Sequence, residues 1–276
     1  MIFETHAHYD DKKFDEDREV LLRSMPEKGI GTIINVGASF AGCEKSIELA
    51  EQYPYIYAAI GIHPENIEDA TQEHMDWICT HATDKKVVAI GEIGLDYYWE
   101  EDHAKRQKQQ ELFAEQLELA QKMQLPVIIH SRDAAADTME VMQRMERKRE
   151  VQELGQQVQT GKCADVQKCL GVVHCYSYSK EMAREFIKMG YYIGVGGVVT
   201  FKNAKKLKET VADIGLEHIL LETDCPYMAP EPYRGSRNDS TYIPYMVAAI
   251  AELTGHTKEE VIAVTRANAQ RLFHIE

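Results

Sequence analysis

Two imidazoles separated by one residue, His6 and His8 in the opening run MIFETHAHYD, stand where a buried strand would carry Val or Ile. Side chains of an extended chain alternate faces, so both rings point to one side and Ala7 to the other. That makes them a candidate metal-binding pincer. Similar groups close later apolar runs: His63 in YAAIGIH, Glu92 in VVAIGEIG, His130 in PVIIH, His174 in GVVHC and Asp224 in ILLETD. Any one strand histidine is more often a hydrogen-bonded core residue than a ligand. Together, His6, His8, His130 and His174 with Glu92 and Asp224 are four imidazoles and two carboxylates. This mixed nitrogen and oxygen set suits borderline divalent metals, with enough groups for two ions sharing a bridging carboxylate. Two such ions about 3.5–4 Å apart supply nucleophilic water near neutral pH and stabilise the departing oxygen in phosphate hydrolysis. Asp224 is the candidate acceptor for the proton of the attacking water.

What must position these groups is a set of strand ends. The strand candidates span 2–8, 32–37, 57–63, 87–94, 126–130, 171–175, 191–197 and 219–224, and helical spacing fills the segments between. In 106–125, Leu112, Phe113, Leu117, Ala120 and Met123 form one stripe, and the last helix opens on the capping box Thr257 to Glu260 and runs to about Phe273. Alternating βα units predict an α/β fold, a single-domain (β/α)8 TIM barrel over 1–276 whose site lies at the C-terminal ends of the strands. A doubly wound open sheet is the competing architecture, since periodicity carries no information on closure. His74, His81, His103, His218, His256 and His274 fall outside the strand ends and are expected at the surface. Cys175 and Cys225 follow His174 and Asp224 directly, so alternation turns them away from the ligand side.

Composition narrows the class. The chain has 276 residues, 44% of them hydrophobic, and no apolar run long enough to span a bilayer. MIFETHAH lacks the basic and apolar segments of a secretory signal, and Cys43, Cys79, Cys163, Cys169, Cys175 and Cys225 form no CxxC pair. Both features lead us to expect a cytoplasmic protein with reduced thiols. A net charge of −14 repels phosphates at long range, so any anion site must be local.

The motifs THAH, GIHP, GEIGLDY, VIIHSRDA, VVHCYS, YYIGVGG, TFKNA and LLETDCPYMAP occur in this order at strand ends, and the chain closes on NAQRLF. In this it resembles the TatD family of metal-dependent deoxyribonucleases, within the amidohydrolase superfamily. The resemblance implies two divalent ions, Zn, Mg or Mn: His6, His8, Glu92 and Asp224 would hold one, and Glu92, His130 and His174 the other. It further implies hydrolysis of DNA phosphodiesters, typically as a 3′→5′ exonuclease on single strands. The family often carries a second histidine where this chain has Glu65. A related hydrolase cutting an ester or amide, such as a D-aminoacyl-tRNA or a small molecule, is the alternative, since one metal pair serves phosphate and carbonyl chemistry.

Arg132, Lys202, Arg234 and Arg237 follow barrel strands and are the candidate phosphate contacts, with His63 a further substrate-facing group. Lys205, Lys206 and Lys208 read instead as a solvated helix face beginning near Ala204. Tyr97, Tyr98 and Trp99 follow the fourth strand and suit base stacking or packing. The charged, glutamine-rich stretch 144–169 is a long helix-to-strand connection. Its place is the face opposite the site, where it bears on stability or partner contacts rather than catalysis.

Overall fold

Strands that run in the same direction cannot be joined by a hairpin, so each apolar run here is followed by a crossover, and the crossovers carry the helices. The computed structural model describes residues 1–160 and 170–276, side chains at 69 and 150–160 apart. Its strands are β1 (Ile2–Ala7), β2 (Ile30–Val36), β3 (Ile56–Ile60), β4 (Val87–Asp96), β5 (Val127–Arg132), β6 (Gly171–Val173), β7 (Tyr191–Val195) and β8 (Ile219–Leu221). They pair in chain order, every neighbour parallel. Ala7 bridges Cys225, the His8 N–H donates to the Cys225 carbonyl at 2.8 Å, and the Asp224 N–H donates to the His6 carbonyl at 3.0 Å. These contacts bring the last strand against the first. The result is the expected barrel and not an open sheet.

The helices are α1 (Arg18–Ser24), α2 (Phe40–Gln52), α3 (Gln72–His81), α4 (His103–Met123), α5 (Ala135–Thr160), α6 (Lys180–Lys188), α7 (Lys205–Ile214), α8 (Ile243–Thr254) and α9 (Lys258–Phe273). The stripe on α4 buries Leu112, Phe113, Leu117 and Ala120, with Met123 partly covered. The Thr257 and Glu260 capping box starts α9 by satisfying backbone donors the helix cannot.

The layering of the interior sets the direction of the functional groups. One cluster takes Phe3, Ile34, Ala59, Val88, Ile128, Val172, Tyr192 and Leu220, one from each strand, together with Leu272 and Phe273 of α9. With the sheet closed between β1 and β8, this cluster fills the inside of the barrel as its floor. By period two, His130 rises above Ile128, His174 above Val172, and Glu222 and Asp224 above Leu220. Apolar groups thus plug the bottom and polar ones fill the mouth.

Several boundaries differ from expectation. β6 ends at Val173 and β8 at Leu221, so His174 and Asp224 lie just past the paired segments, while β4 runs on to Asp96. Much of 144–169 continues α5 to Thr160, and residues 161–169, with Cys163 and Cys169, lie outside those described. His103, His256 and His274 are exposed as expected, whereas His74, His81 and His218 are half-buried, with His74 stacked on Phe40 at 4.3 Å.

Candidate metal centre

Glu92 organises the barrel mouth. It is 3% exposed, and its two oxygens face opposite ways. Oε2 lies 3.4 Å from His6 Nε2 and 3.8 Å from His8 Nε2, while Oε1 lies 2.7 Å from His130 Nδ1, 2.6 Å from His174 Nε2 and 3.7 Å from His63 Nε2. On the first side Asp224 Oδ1 stands 3.4 Å from His8 Nε2 and 3.9 Å from His6 Nε2, and the two Nε2 atoms are 3.1 Å apart. Four bonds of 2.0–2.1 Å to a tetrahedral ion would place ligand atoms about 3.3–3.4 Å from one another. The measured edges scatter around that length.

Hydrogen bonds behind the rings decide which nitrogen faces the centre. His8 Nδ1 donates to the Val36 carbonyl at 2.7 Å, which leaves Nε2 free to act as a ligand. His130 Nε2 lies 2.9 Å from the Asp96 carboxylate, leaving Nδ1 for Glu92 and the interior. His63 Nδ1 accepts the Glu65 N–H at 3.2 Å, so its Nε2 carries the proton toward Glu92.

Electrostatics supply the fit test. Burial would raise the Glu92 carboxyl, but the facing His174, His63 and His6 rings outweigh it and hold it well below its usual range. Asp224 is likewise lowered against its burial, chiefly by His8. In return, His8 is held up at about 10 by Asp224 and His130 at about 9 by Asp96 and Glu92, each against its own burial. His6 and His63, where burial dominates, fall to about 4 and about 3. Two ionised carboxylates buried among converging lone pairs require positive charge between them. A divalent cation provides it while releasing the protons otherwise held by the imidazoles. The donor set therefore fits divalent metal.

Three residues that strand reading passed over complete the centre. Asp96, four residues after Glu92, orients His130. Glu222 is fully buried, accepts the Cys175 N–H at 2.5 Å and lies 3.8 Å from His174 Nδ1. Gly194 makes room for it, since a Cβ there would fall 2.3 Å from Glu222 Oε2. Burial, partly offset by His174, lifts its carboxyl to about 7. Glu4, pushed up by burial to about 8, accepts from the Thr223 N–H at 2.9 Å and the His6 N–H at 3.1 Å. The signal was available: Glu4 precedes His6, and Glu222 precedes Asp224, by the same two residues that put His6 beside His8. We expect Glu222→Ala to weaken divalent-metal affinity about 10- to 100-fold, the usual effect of removing a group that supports a ligand. Competition with a chromophoric chelator measures it, and Glu222→Gln, which can keep the Cys175 hydrogen bond, separates lost charge from a lost backbone anchor.

Cys175 lies just past the paired part of β6. With φ of 44° it has left strand geometry, and its thiol is driven well above its usual range by desolvation and then by Asp224, Glu222 and Glu92. Its backbone N–H, not its thiol, is the group that meets Glu222, and Cys225 packs in the core. The proposed phosphate contacts divide as well. Arg132 lies over the Tyr98 ring at 3.8 Å and Arg234 over Phe201 at 4.4 Å, while Lys202 is exposed between β7 and α7. Arg237 is engaged elsewhere: it forks onto Asp17 at 2.6 and 2.7 Å and donates to the Lys13 carbonyl, clamping the segment before α1. Lys205 and Lys206 are solvated on the first turn of α7. Tyr97 is buried, and Tyr98 and Trp99 are exposed.

A family model described as TatD related DNase matches residues 3–274. The uncharacterized metal-dependent hydrolase YabD of Bacillus subtilis is 40% identical over 275 residues, covering 100% of both chains. YcfH of Escherichia coli, with the same description, is 30% identical over 279 residues and is matched over 97% of its length by 100% of this chain. Among solved structures, the TatD homolog YjjV of E. coli superposes with a TM-score of 0.86 at 31% identity, covering 100% of this chain and 98% of that one. Among the described residues no helix is long and apolar enough to cross a membrane.

Proposed function

The chain belongs to the TatD-related DNase family of metal-dependent hydrolases, and from that premise we propose that it hydrolyses DNA phosphodiesters, removing nucleotides from the 3′ end of single strands. The observation that carries the reading is Glu92, whose two oxygens face two separate ligand groups. His6, His8, Glu92 and Asp224 would hold one divalent ion and Glu92, His130 and His174 a second, of Zn, Mg or Mn. Bound there, the ions supply Lewis acidity toward a phosphoryl oxygen and toward water. The chain's own groups do the rest. Asp224, kept ionised by His8, takes the proton of the attacking water. His63, with its proton on Nε2, offers a donor near the departing oxygen. Water oxygen bonds to phosphorus, the bond from phosphorus to the 3′ oxygen of the preceding nucleotide breaks, and that oxygen ends protonated. Arg132, Lys202 and Arg234 would hold neighbouring phosphates on an otherwise acidic protein.

The test uses protein purified without chelators, assayed for bound metal and then incubated with single-stranded oligonucleotides labelled at either end. Early release of mononucleotide from the 3′ label, with a shortening ladder from the 5′ label, is expected. Parallel incubation with aminoacyl-tRNA and simple esters identifies the competing chemistry. Intact DNA alongside rapid ester cleavage would replace the nuclease assignment.

A further inference from the structure

On the β3 and β4 side, the barrel mouth opens into a cavity of about 200 Å³ lined by Pro64, Glu65, Glu68, Asp96, Trp99 and Glu100 among others. It adjoins the metal centre. Asp96 borders both, contributing to the wall while its carboxylate meets His130 at 2.9 Å. Pro64 and Glu65 follow His63, whose Nε2 is 3.7 Å from Glu92. A group seated here therefore borders the candidate metal centre.

Two features define what fits. Trp99 is 74% exposed and is braced edge-on by Tyr98 at 4.3 Å, while Arg132 lies against Tyr98 at 3.8 Å. An indole this exposed has ring surface available to stack on a planar ring. The volume is below the roughly 300–1,000 Å³ of pockets for drug-sized ligands, which suits one small ring system and not two. Charge then restricts the choice. Four lining carboxylates, Glu65, Glu68, Asp96 and Glu100, outnumber the lining cation Lys105, which pairs with Glu100 at 3.6 Å, while Lys108 pairs with Glu68 at 3.3 Å; Glu65 and Asp96 remain in excess. Half a turn around the barrel, the loops after β7 and β8 carry Lys202 and Arg234. Phosphates are favoured on that far rim and repelled from this one.

We propose that this cavity receives the terminal nucleoside of the strand being cut, its base stacked on Trp99, and that its carboxylates reject a further phosphate. The inference rests on the DNA reading and deepens it: the enzyme works from an end because the mouth is acidic on the side where a continuing backbone would have to pass.

The test compares single-stranded oligonucleotides ending in a 3′-hydroxyl, a 3′-phosphate or a terminal abasic sugar. The native protein should cut the phosphate-ended strand at least about tenfold less efficiently in kcat/KM than the hydroxyl-ended one. In Glu65→Gln/Glu68→Gln that ratio should shrink several-fold. Trp99→Ala, at an exposed position, should raise KM for base-bearing ends about 5- to 100-fold, the range of one lost base stack, and leave KM for the abasic end unchanged. Thymidine 5′-monophosphate should quench tryptophan fluorescence in the native protein and not in Trp99→Ala. DNA hydrolysis that ignores a 3′-phosphate, or a Trp99→Ala variant with native KM on every end, overturns the pocket alone. Failure to hydrolyse any of the strands overturns the nuclease reading and the pocket with it.

Discussion

Glu92→Ala is expected to strip divalent metal from both halves of the centre and to lower kcat/KM at least about a thousandfold. The size follows from the several kcal/mol of charge stabilisation that metal ions contribute, at about 1.4 kcal/mol per factor of ten. The pattern of loss matters more than its depth. Among the described residues Glu92 is the one carboxylate whose oxygens face both candidate ligand groups, at 3.4 Å from His6 and 2.7 Å from His130. His6→Ala/His8→Ala touches only one group, so it should cost about one ion per chain where Glu92→Ala costs two. Elemental analysis of variants purified without chelators, with thermal melting to confirm folding, measures both. Equal metal loss in the two variants would remove Glu92 from its bridging position.

Asp224→Asn separates ligand from base. The amide keeps an oxygen that can still face a metal but no longer takes up a proton. We expect near-normal metal at the Glu92, His130 and His174 position, weakened metal at His6 and His8, and retained binding of single-stranded DNA. The rate should fall about 10²–10⁴-fold in kcat with far less change in KM, the usual contribution of a general base. The control is to saturate the variant with metal before assaying. Full recovery would make Asp224 a ligand only and route the proton through His63 or solvent. The pH profile gives a second reading of the same group. Asp224 is held below its ordinary range, so the native enzyme should keep its base ionised under mildly acidic conditions where a free carboxylate begins to protonate.

The clustering of the candidate ligands was legible in the amino-acid order because a strand has an exact period of two: the spacing that pairs His6 with His8 is the spacing the barrel displays. Groups beyond a strand's paired end were harder to place. Cys175 was expected to face away from the centre by strand alternation, but β6 ends at Val173 and its φ of 44° takes it out of strand geometry. Arg237 follows a barrel strand, yet its partner Asp17 is set by how two distant loops fold together, and no local pattern encodes that. The choice between barrel and open sheet was also invisible, since it depends on contacts between the first and last strands. Glu222 and Glu4 were a different matter. Their spacing was visible, but isolated carboxylates in apolar runs resemble strand-end punctuation until burial shows that nothing solvates them.

The meeting of first and last strands has a consequence for how the protein comes into being. Thr5 and Leu221, hydrogen-bonded across that seam, are 216 positions apart, and His6 and His8 stand on one bank with Asp224 on the other. During synthesis from the N-terminus, a ribosome will have delivered both pincer histidines, Glu92, His130 and His174 long before it delivers Asp224. A nascent chain therefore carries most of a metal site and no finished one. Chelation across the seam would then reward completion of the barrel, because a clip closing so long a loop removes much of the freedom of the open chain. A product truncated before the last strand would lack Asp224 and the whole second bank of that seam.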